Sequence, residues 1–357
     1  MNLAGSMVTV LLLPCVALAQ SYDLRANWSD ADNPHGTWSY RDGTVPMTAV
    51  GDVQPGAWEF PQRAWVRYGP AQDEFAAWFM SNGSEAFSHE WSTGDIVCHT
   101  GHRETQPRGV ASVAWTSPLD GTVVLTGGVW PGSPILASTP QSWSLWHEFV
   151  RLAGQTTLSS GSRSAPVPFL TATLDPISLD IVRGEAVRLE IEPRDSNGAG
   201  DYVGVTMNII VCAGVMQDPA PARLCPGGST FMTVQGRTSY GTLSYRWRRN
   251  GIALLEAPAA HYQGVFTPTL SITNASHDVA GEYDCVVSSI CGVAISRTAE
   301  VGYCAADFDC SGSVGGTDIF FYLTAWFAGD ARANVDGVAG VTLQDLLAFL
   351  NGWFTGC

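Results

Sequence analysis

The sequence is poor in charged residues, and in basic residues especially. Charged side chains make up 14% of the 357 residues, and 18 Lys and Arg against 33 Asp and Glu give a formal net charge of -15. Proteins hold a phosphate backbone through clustered cations. This balance leaves no basic patch, so nucleic acid is not an expected partner.

Long hydrophobic runs are also missing. The apolar run MVTVLLLPCVALA near the start is too short to cross a bilayer, and no later stretch is long enough. It ends in the small-residue site Ala17-Leu18-Ala19, which predicts a secretory signal peptide over residues 1–19. We therefore expect an exported protein, secreted or attached to a cell surface, without a transmembrane segment.

Established catalytic motifs are absent, since there is no GxSxG, P-loop or HExxH pattern. The stretch HEWSTGDIVCHTGHRE holds the densest cluster of reactive side chains: His89, Glu90, Asp95, His99, His102 and Glu104. Its spacing matches no zinc-enzyme motif, and a surface loop between strands explains it equally well. The main prediction is a non-catalytic protein. A polysaccharide-active enzyme (glycoside hydrolase or lyase) and a purely structural envelope component are the alternatives.

Residues 20–213 are a succession of short strand-like runs. AWVRYG, GTVVLTGGVW and AVRLEIEP are rich in β-branched and aromatic residues and are separated by turn residues. A mainly β fold follows, with a jelly-roll-like sandwich here. The many tryptophans are expected mostly in the core, although an exposed ring can stack on a sugar. A carbohydrate-binding or adhesive role is therefore open. The runs SYDLRANWSDADNPHGTWSYRDG and WTSPLDGTVVLTGGVW resemble a β-sandwich of secreted planctomycete proteins.

Residues 219–302 carry an immunoglobulin-like (Ig-like) pattern. Trp247 in LSYRWRRNG occupies the place of a C-strand core tryptophan, and DVAGEYDC places Tyr283 two residues before Cys285. Met232 stands where the B-strand cysteine belongs, so the usual inter-sheet disulfide is not expected. The segment resembles bacterial Ig-like domains.

Residues 303–357 contain a duplication. Asp307, Asp309, Asp318, Trp326 and Phe327 recur 27 residues later as Asn334, Asp336, Asp345, Trp353 and Phe354. Each copy is a polar loop followed by a helix-like run. We expect a small α-helical module in which the two helices pack through a common set of apolar residues: Ile319, Phe320, Leu323, Leu346, Leu347 and Leu350.

The first loop has the spacing of an EF-hand-type calcium loop. Oxygen-bearing side chains stand at alternate positions, with Gly312 at position 6 for the turn. The candidate calcium ligands are Asp307, Asp309, Ser311, Ser313 and Asp318. The second loop offers a weaker site from Asn334, Asp336 and Asp345. The alternative is two solvated acidic turns, with Asp318 and Asp345 serving as helix N-terminal carboxylates.

This tail resembles a dockerin domain, on the evidence of Cys304, the loop DFDCSGSVGGTD, both helix runs and the terminal Gly356-Cys357. More narrowly, it is similar to the Gly-Cys-ending tails of secreted planctomycete proteins. The resemblance implies calcium binding and attachment to a cohesin-like or other cell-surface protein. Gly316-Thr317 and Leu343-Gln344 stand where cohesin-binding dockerins have a Ser/Thr pair.

Eight cysteines remain after the signal peptide, and an even number in an exported chain predicts disulfides. Cys304 is expected to pair with Cys357, because the duplication brings the ends of the tail together. Cys225 is expected to pair with Cys291, or with Cys285, and Cys98 with Cys212. These pairings leave Cys310 without an obvious mate.

Overall fold

The structure is a computed structural model that describes residues 21–52, 59–67, 76–101, 109–132, 141–194, 202–256 and 261–357. The predicted signal peptide over residues 1–19 lies outside these ranges. Antiparallel sheets dominate, and two helices close the chain, which confirms the predicted mainly β fold class with a helical tail.

The first sandwich has two sheets. In spatial order, the first consists of β12 (Val167–Pro168), β9 (Asp120–Pro131), β15 (Tyr202–Gln217), β7 (Ile96–His99), β6 (Ala77–Met80), β5 (Arg63–Val66) and β4 (Ala49–Asp52), with β1 (Tyr22–Asp23) beside β15 and β13 (Ile177–Ile181) beside β9. The second consists of β11 (Val150–Leu158), β10 (Gln141–His147), β14 (Ala186–Pro193), β8 (Ala111–Thr116), β2 (Trp38–Asp42) and β3 (Val45–Pro46).

The chain crosses repeatedly between these sheets in jelly-roll order. From β7 onward, strands β7, β9, β13 and β15 belong to the first sheet, and β8, β10, β11 and β14 to the second. The neighbours are β7-β15-β9-β13 and β8-β14-β10-β11, all antiparallel. This is the double Greek key of a jelly roll, which the prediction had anticipated.

Alternating burial along the strands builds the core between the sheets. In β14 and β10 every second side chain points inward, as the two-residue period of a strand requires. Tryptophans supply much of the volume. Seven of them in this sandwich are buried: Trp38, Trp65, Trp78, Trp91, Trp115, Trp130 and Trp143. Trp28 and Trp146 are half-buried, and Trp58 lies outside the described residues.

The second unit has the strand arrangement of an Ig-like sandwich. One sheet contains β16 (Ala222–Leu224), β25 (Ala299–Tyr303), β23 (Gly281–Ser288), β19 (Ser244–Arg249) and β20 (Ile252–Ala253), with β24 (Val293–Ile295) beside β23. The other contains β17 (Thr230–Thr233), β22 (Thr269–Ile272) and β21 (Tyr262–Gln263). The strand β18 (Gln235–Arg237) pairs with the end of β15, whose Ala213 and Val215 pack in the Ig-like core.

The core of the Ig-like sandwich is arranged around Trp247 and Tyr283. Trp247 is fully buried and lies opposite Cys285 in the β19–β23 ladder. The Tyr283 hydroxyl donates to the carbonyl of Val279 at 2.7 Å, which is the tyrosine corner of this fold. Met232 is buried in β17, in the same core as Cys285. Apolar packing therefore replaces the usual inter-sheet disulfide.

The tail is built around a near-symmetric helix pair, α1 (Gly316–Ala328) and α2 (Leu343–Thr355). The duplicated residues Tyr322 and Phe349 stack with ring centroids 3.9 Å apart and planes 3° from parallel. Trp326 Nε1 donates to the carbonyl of Thr342, and Trp353 Nε1 to that of Gly315, both at 2.8 Å. Each helix end is therefore tied to the start of the other helix.

Three disulfides join the chain: Cys212–Cys291, Cys225–Cys310 and Cys304–Cys357. The prediction that Cys98 pairs with Cys212 is wrong. Cys98 is in β7 and Cys212 is in the adjacent strand β15, but they lie at different positions along these strands. Cys98 lies opposite Val203 in β15. Cys212 is nine residues further along that strand, about 30 Å away at the rise of a strand, well beyond the span of a disulfide.

The prediction that Cys225 pairs with Cys291 is also wrong, since these residues lie at opposite ends of the Ig-like sandwich. Cys291 follows the Ser288 end of β23, where Gly292 packs close to Cys212. Cys225 follows β16, whose Leu224 pairs with Tyr303 at the end that leads into the tail. Cys291 therefore bonds to Cys212 of the first sandwich, and Cys225 bonds to Cys310 of the tail.

Cys98 and Cys285 are free and buried. Burial raises the pKa of the Cys98 thiol, and it raises the pKa of the Cys285 thiol to about 12. At neutral pH both remain protonated, and the thiolate is the reactive form. We expect neither to react with iodoacetamide in the native protein, and both to react once denaturant unfolds it without reductant. Peptide mass spectrometry locates the label. Alkylation of Cys98 or Cys285 in the native protein would show that these thiols are not buried.

Candidate functional site

The first polar loop of the tail folds as a ring of oxygens in front of α1. Ligand atoms of Asp307, Asp309 and Asp318 all lie within 4.8 Å of one another. The loop is shaped by Gly312, whose φ of +84° lies in the left-handed region that favours glycine, and whose N–H donates to Asp307 Oδ2 at 3.0 Å. The sequence prediction therefore located a compact carboxylate cluster.

One carboxylate oxygen in this loop has no partner. Asp307 Oδ1 is buried and accepts no hydrogen bond, whereas Asp307 Oδ2 accepts from Gly312. A buried carboxylate oxygen without a hydrogen bond is costly unless something positive lies beside it. Three clustered carboxylates with one unsatisfied oxygen suit a hard divalent cation that prefers oxygen ligands.

Asp318 connects the loop to the helix. This fully buried side chain accepts from the Asp309 N–H at 3.0 Å and from the Gly315 N–H at 2.7 Å. Each carboxylate oxygen has two lone pairs, so these bonds leave acceptor capacity toward the loop centre. The alternative reading of Asp318 as a helix N-terminal carboxylate is therefore compatible with a role as a ligand.

The remaining predicted ligands lie on the open side of the loop. Ser311 donates its hydroxyl to the Ser313 carbonyl at 3.1 Å, and its N–H donates to Asp309 Oδ1 at 2.9 Å. Hydrogen bonds from Ser311, and next from Thr317, hold the pKa of Asp309 below its ordinary value. The carboxylate is therefore ionised at neutral pH.

The second loop satisfies its polar groups internally. Asp345 accepts from the N–H groups of Val335, Asp336 and Thr342 and from the Thr342 hydroxyl. Burial raises the pKa of Asp345, but these hydrogen bonds outweigh burial and the pKa lies below its ordinary value. Asn334 turns its amide nitrogen to the Val338 carbonyl at 2.8 Å. This loop holds its shape with two carboxylates, one fewer than loop one.

Each tail helix leaves an apolar face uncovered. The helices were expected to pack through six residues, of which Ile319, Leu323, Leu346 and Leu350 do lie against the tail core. Phe320 and Leu347 are instead 74% and 53% exposed. They lie about 100° around the helix from the packed residues Ile319 and Leu346. We call the exposed set the outer faces: Phe320, Phe321 and Phe327 on α1, and Leu343, Leu347 and Phe354 on α2.

Several side chains of the stretch HEWSTGDIVCHTGHRE have structural roles in the first sandwich. His89 stacks on Trp91, with ring centroids 4.6 Å apart, and His99 is buried in β7. Asp95 forms an ion pair with Arg163. Glu85, which the sequence prediction did not single out, accepts from Trp91 Nε1 at 2.7 Å. His102 and Glu104 lie outside the described residues.

A cleft opens at the edge of the first sandwich beside β11, with a volume of about 410 Å³. Trp143, Arg151, Gln155 and Thr171 are among the residues that line it. The Trp143 ring is almost wholly covered, so it offers no open platform for a sugar ring. Within the described ranges, no helix is long and apolar enough to cross a membrane.

No protein-family model matches the sequence, and no curated protein matches it. Among solved structures, the chain is similar to the titin M4 domain at 22% identity, over 26% of this chain and 94% of that one, with a TM-score of 0.23. Tandem Ig repeats of Dlar show 16% identity over 54% and 89%, with a TM-score of 0.24. A twitchin kinase region from C. elegans shows 15% identity over 26% and 16%, with a TM-score of 0.23. Likenesses this low carry no argument about function.

Proposed function

We propose that this chain is an exported, non-catalytic modular protein that is attached to a surface or an assembly through a calcium-dependent, dockerin-like tail. The observation that carries the proposal is the carboxylate cluster of loop one with its unsatisfied Asp307 Oδ1. The three disulfides support an extracellular setting, because such bonds persist in oxidising compartments.

Calcium would be held in loop one by the carboxylates of Asp307, Asp309 and Asp318, with Ser311 and Ser313 on the open side. The bound ion would supply positive charge that offsets the repulsion among three carboxylates. Loop two, with Asn334, Asp336 and Asp345, would be a second and weaker site, because it offers two carboxylates where loop one offers three, and Asn334 carries no charge.

The outer faces of α1 and α2 are the proposed attachment surface. Exposed apolar patches of this kind mark interaction sites, since a solvated aromatic side chain gains free energy when a partner covers it. No Lys, Arg or Glu stands in either helix, which suits an apolar protein surface as the partner. A cohesin-like or other cell-surface protein is the proposed class, and nucleic acid is not.

The first sandwich and the Ig-like unit are proposed as adhesive or carbohydrate-binding modules. In the first sandwich, the hairpin between β10 and β11 presents Phe149 with 93% of its surface exposed, two residues before Arg151, which lines the cleft. Retention on an insoluble polysaccharide without turnover would support a binding module. Release of soluble sugars would instead favour the polysaccharide-active enzyme.

The experiment that tests the tail is a calcium titration by calorimetry of the full oxidised chain, with a parallel thermal melt in chelator. We expect one strong site and a lower melting temperature of the tail in chelator, because a ligand that binds only the folded state stabilises it. Magnesium at the same concentration is the control ion. If the titration produces no heat and the melt does not change, the calcium proposal is withdrawn.

A further inference from the structure

Disulfides connect the first sandwich to the Ig-like unit and the Ig-like unit to the tail. Cys212, in the strand that ends the first sandwich, is bonded to Cys291 in the β23–β24 hairpin of the Ig-like unit. Cys225, just after β16, is bonded to Cys310 inside loop one of the tail. Cys304 and Cys357 close the tail on itself. Both joints between units therefore carry a disulfide as well as the chain.

These bonds shorten the covalent path from the first sandwich to the C-terminus. Along the chain, Cys212 and Cys357 are 145 residue steps apart (357 − 212). Through the disulfides, the path crosses to Cys291, follows 13 steps to Cys304 (304 − 291), and crosses to Cys357. We call this route one.

A second path runs in parallel. From Cys212 it follows 13 steps to Cys225 (225 − 212), crosses to Cys310, and returns 6 steps to Cys304 (310 − 304). We call this route two. Residues 226–290 and 311–356 lie on neither route, and they contain most of the Ig-like core, with Trp247 at its centre, and both tail helices.

We propose that the protein is a load-bearing connector in which the disulfides divert tension past the Ig-like core and the tail helices. A pull between the first sandwich and the C-terminus is carried by whichever route is taut. Either route limits how far the ends of this part can separate. The Ig-like core and the helix pair are therefore not drawn out by the force, and the outer faces stay intact for their partner.

The geometry of Cys310 is consistent with this role. Its φ is +60°, in the left-handed region that a non-glycine side chain disfavours, and its duplicate in loop two is Gly337, with φ +77°. A glycine would fit this turn without strain. The position instead holds a cysteine that fastens loop one to the Ig-like unit.

Hydrogen bonds and one ion pair brace the same joints. Thr122 Oγ1 donates to the Val293 carbonyl at 3.1 Å across the first joint, where Arg297 also forms an ion pair with Asp120. At the second joint, the Cys304 N–H donates to the Leu224 carbonyl at 2.8 Å. The units therefore meet in defined contacts, beside the bonds that carry the load.

The test is single-molecule force extension of the full chain, with handles at the mature N-terminus and at the C-terminus. Unfolding of the first sandwich, which holds no disulfide of its own among its described residues, provides an internal reference step of roughly 650 Å at about 3.4 Å per residue. In the oxidised protein we expect this step alone, because route one extends to only about 45 Å. After reduction we expect a further extension of about 500 Å.

The two routes make distinct predictions for variants. Cys212→Ser with Cys291→Ser removes route one, and Cys225→Ser with Cys310→Ser removes route two. Each pair alone is expected to add no further step, because the other route remains. The four substitutions together leave 92 steps between Cys212 and Cys304 (304 − 212), and about 320 Å of extension is expected.

Two results would overturn the proposal. One is a further step near 500 Å in the oxidised native protein, and the other is a step near 320 Å when only one route is removed. If the fourfold variant does not fold, the comparison of oxidised with reduced native protein still decides. The role in attachment rests on the proposed function, and the same measurement in chelator separates the two. If chelator changes nothing in the tail, the calcium proposal fails. The expected step sizes stay the same, because they depend on the positions of the disulfides.

Discussion

Replacing Phe349 with alanine is expected to destabilise the tail by about 3–5 kcal/mol, which is the cost of truncating a large aromatic residue in a packed core. Phe349 is fully buried, stacks on Tyr322 and meets the edge of Phe308. Because these rings make up most of the tail core, removing the Phe349 ring would destabilise both helices. Hydrogen exchange should show protection of the α1 and α2 amides falling by about 100- to 4,000-fold, the equivalent of this free energy at about 1.4 kcal/mol per tenfold.

The matched control for Phe349 is five residues later on the same helix. Phe354 is the same residue type and is 77% exposed. Phe354→Ala is therefore expected to change amide protection by less than about twofold, since surface substitutions usually alter stability little. Equal losses of protection in Phe349→Ala and Phe354→Ala would show that the stacked pair is not the core of the tail.

Replacing Asp309 with asparagine is expected to weaken calcium binding by about 100-fold, because ligand charge strongly tunes the affinity of such loops. The substitution keeps the size of the side chain and the acceptor for the Ser311 N–H, and removes one of three clustered charges. Calorimetric titration of the full oxidised chain measures the change. The fold should survive, because Asp309 lies at the open side of the loop.

The duplication supplies the control for this substitution as well. Asp336 is the counterpart of Asp309 in loop two, where its Oδ1 accepts from the Val338 N–H in the same way. Asp336→Asn should leave the strong site within about twofold of its original affinity. A larger effect from Asp336→Asn than from Asp309→Asn would place the strong site in loop two.

Local patterns in the sequence were enough for the fold class and for the repeated unit of the tail. Strand length and alternation depend on neighbouring residues, so the mainly β class could be predicted, as could the core roles of Trp247 and Tyr283. The 27-residue duplication located the loop in which Asp307, Asp309 and Asp318 come together. Ligand spacing within twelve residues is a local property, because the turn at Gly312 is set by its own backbone.

Contacts between distant segments were decided only by the tertiary structure. Two predicted cysteine pairings were wrong, since strand register and the direction of β15 determine which cysteines come within bonding distance. The exposure of Phe320 and Leu347 depends on which helix face meets its partner, which amphipathic spacing alone leaves open. The sequence by itself therefore determined the mainly β fold class with its helical tail, and the carboxylate loop. How the units are bonded to one another required the fold, because a disulfide depends on distance in space and carries no periodic signal along the chain.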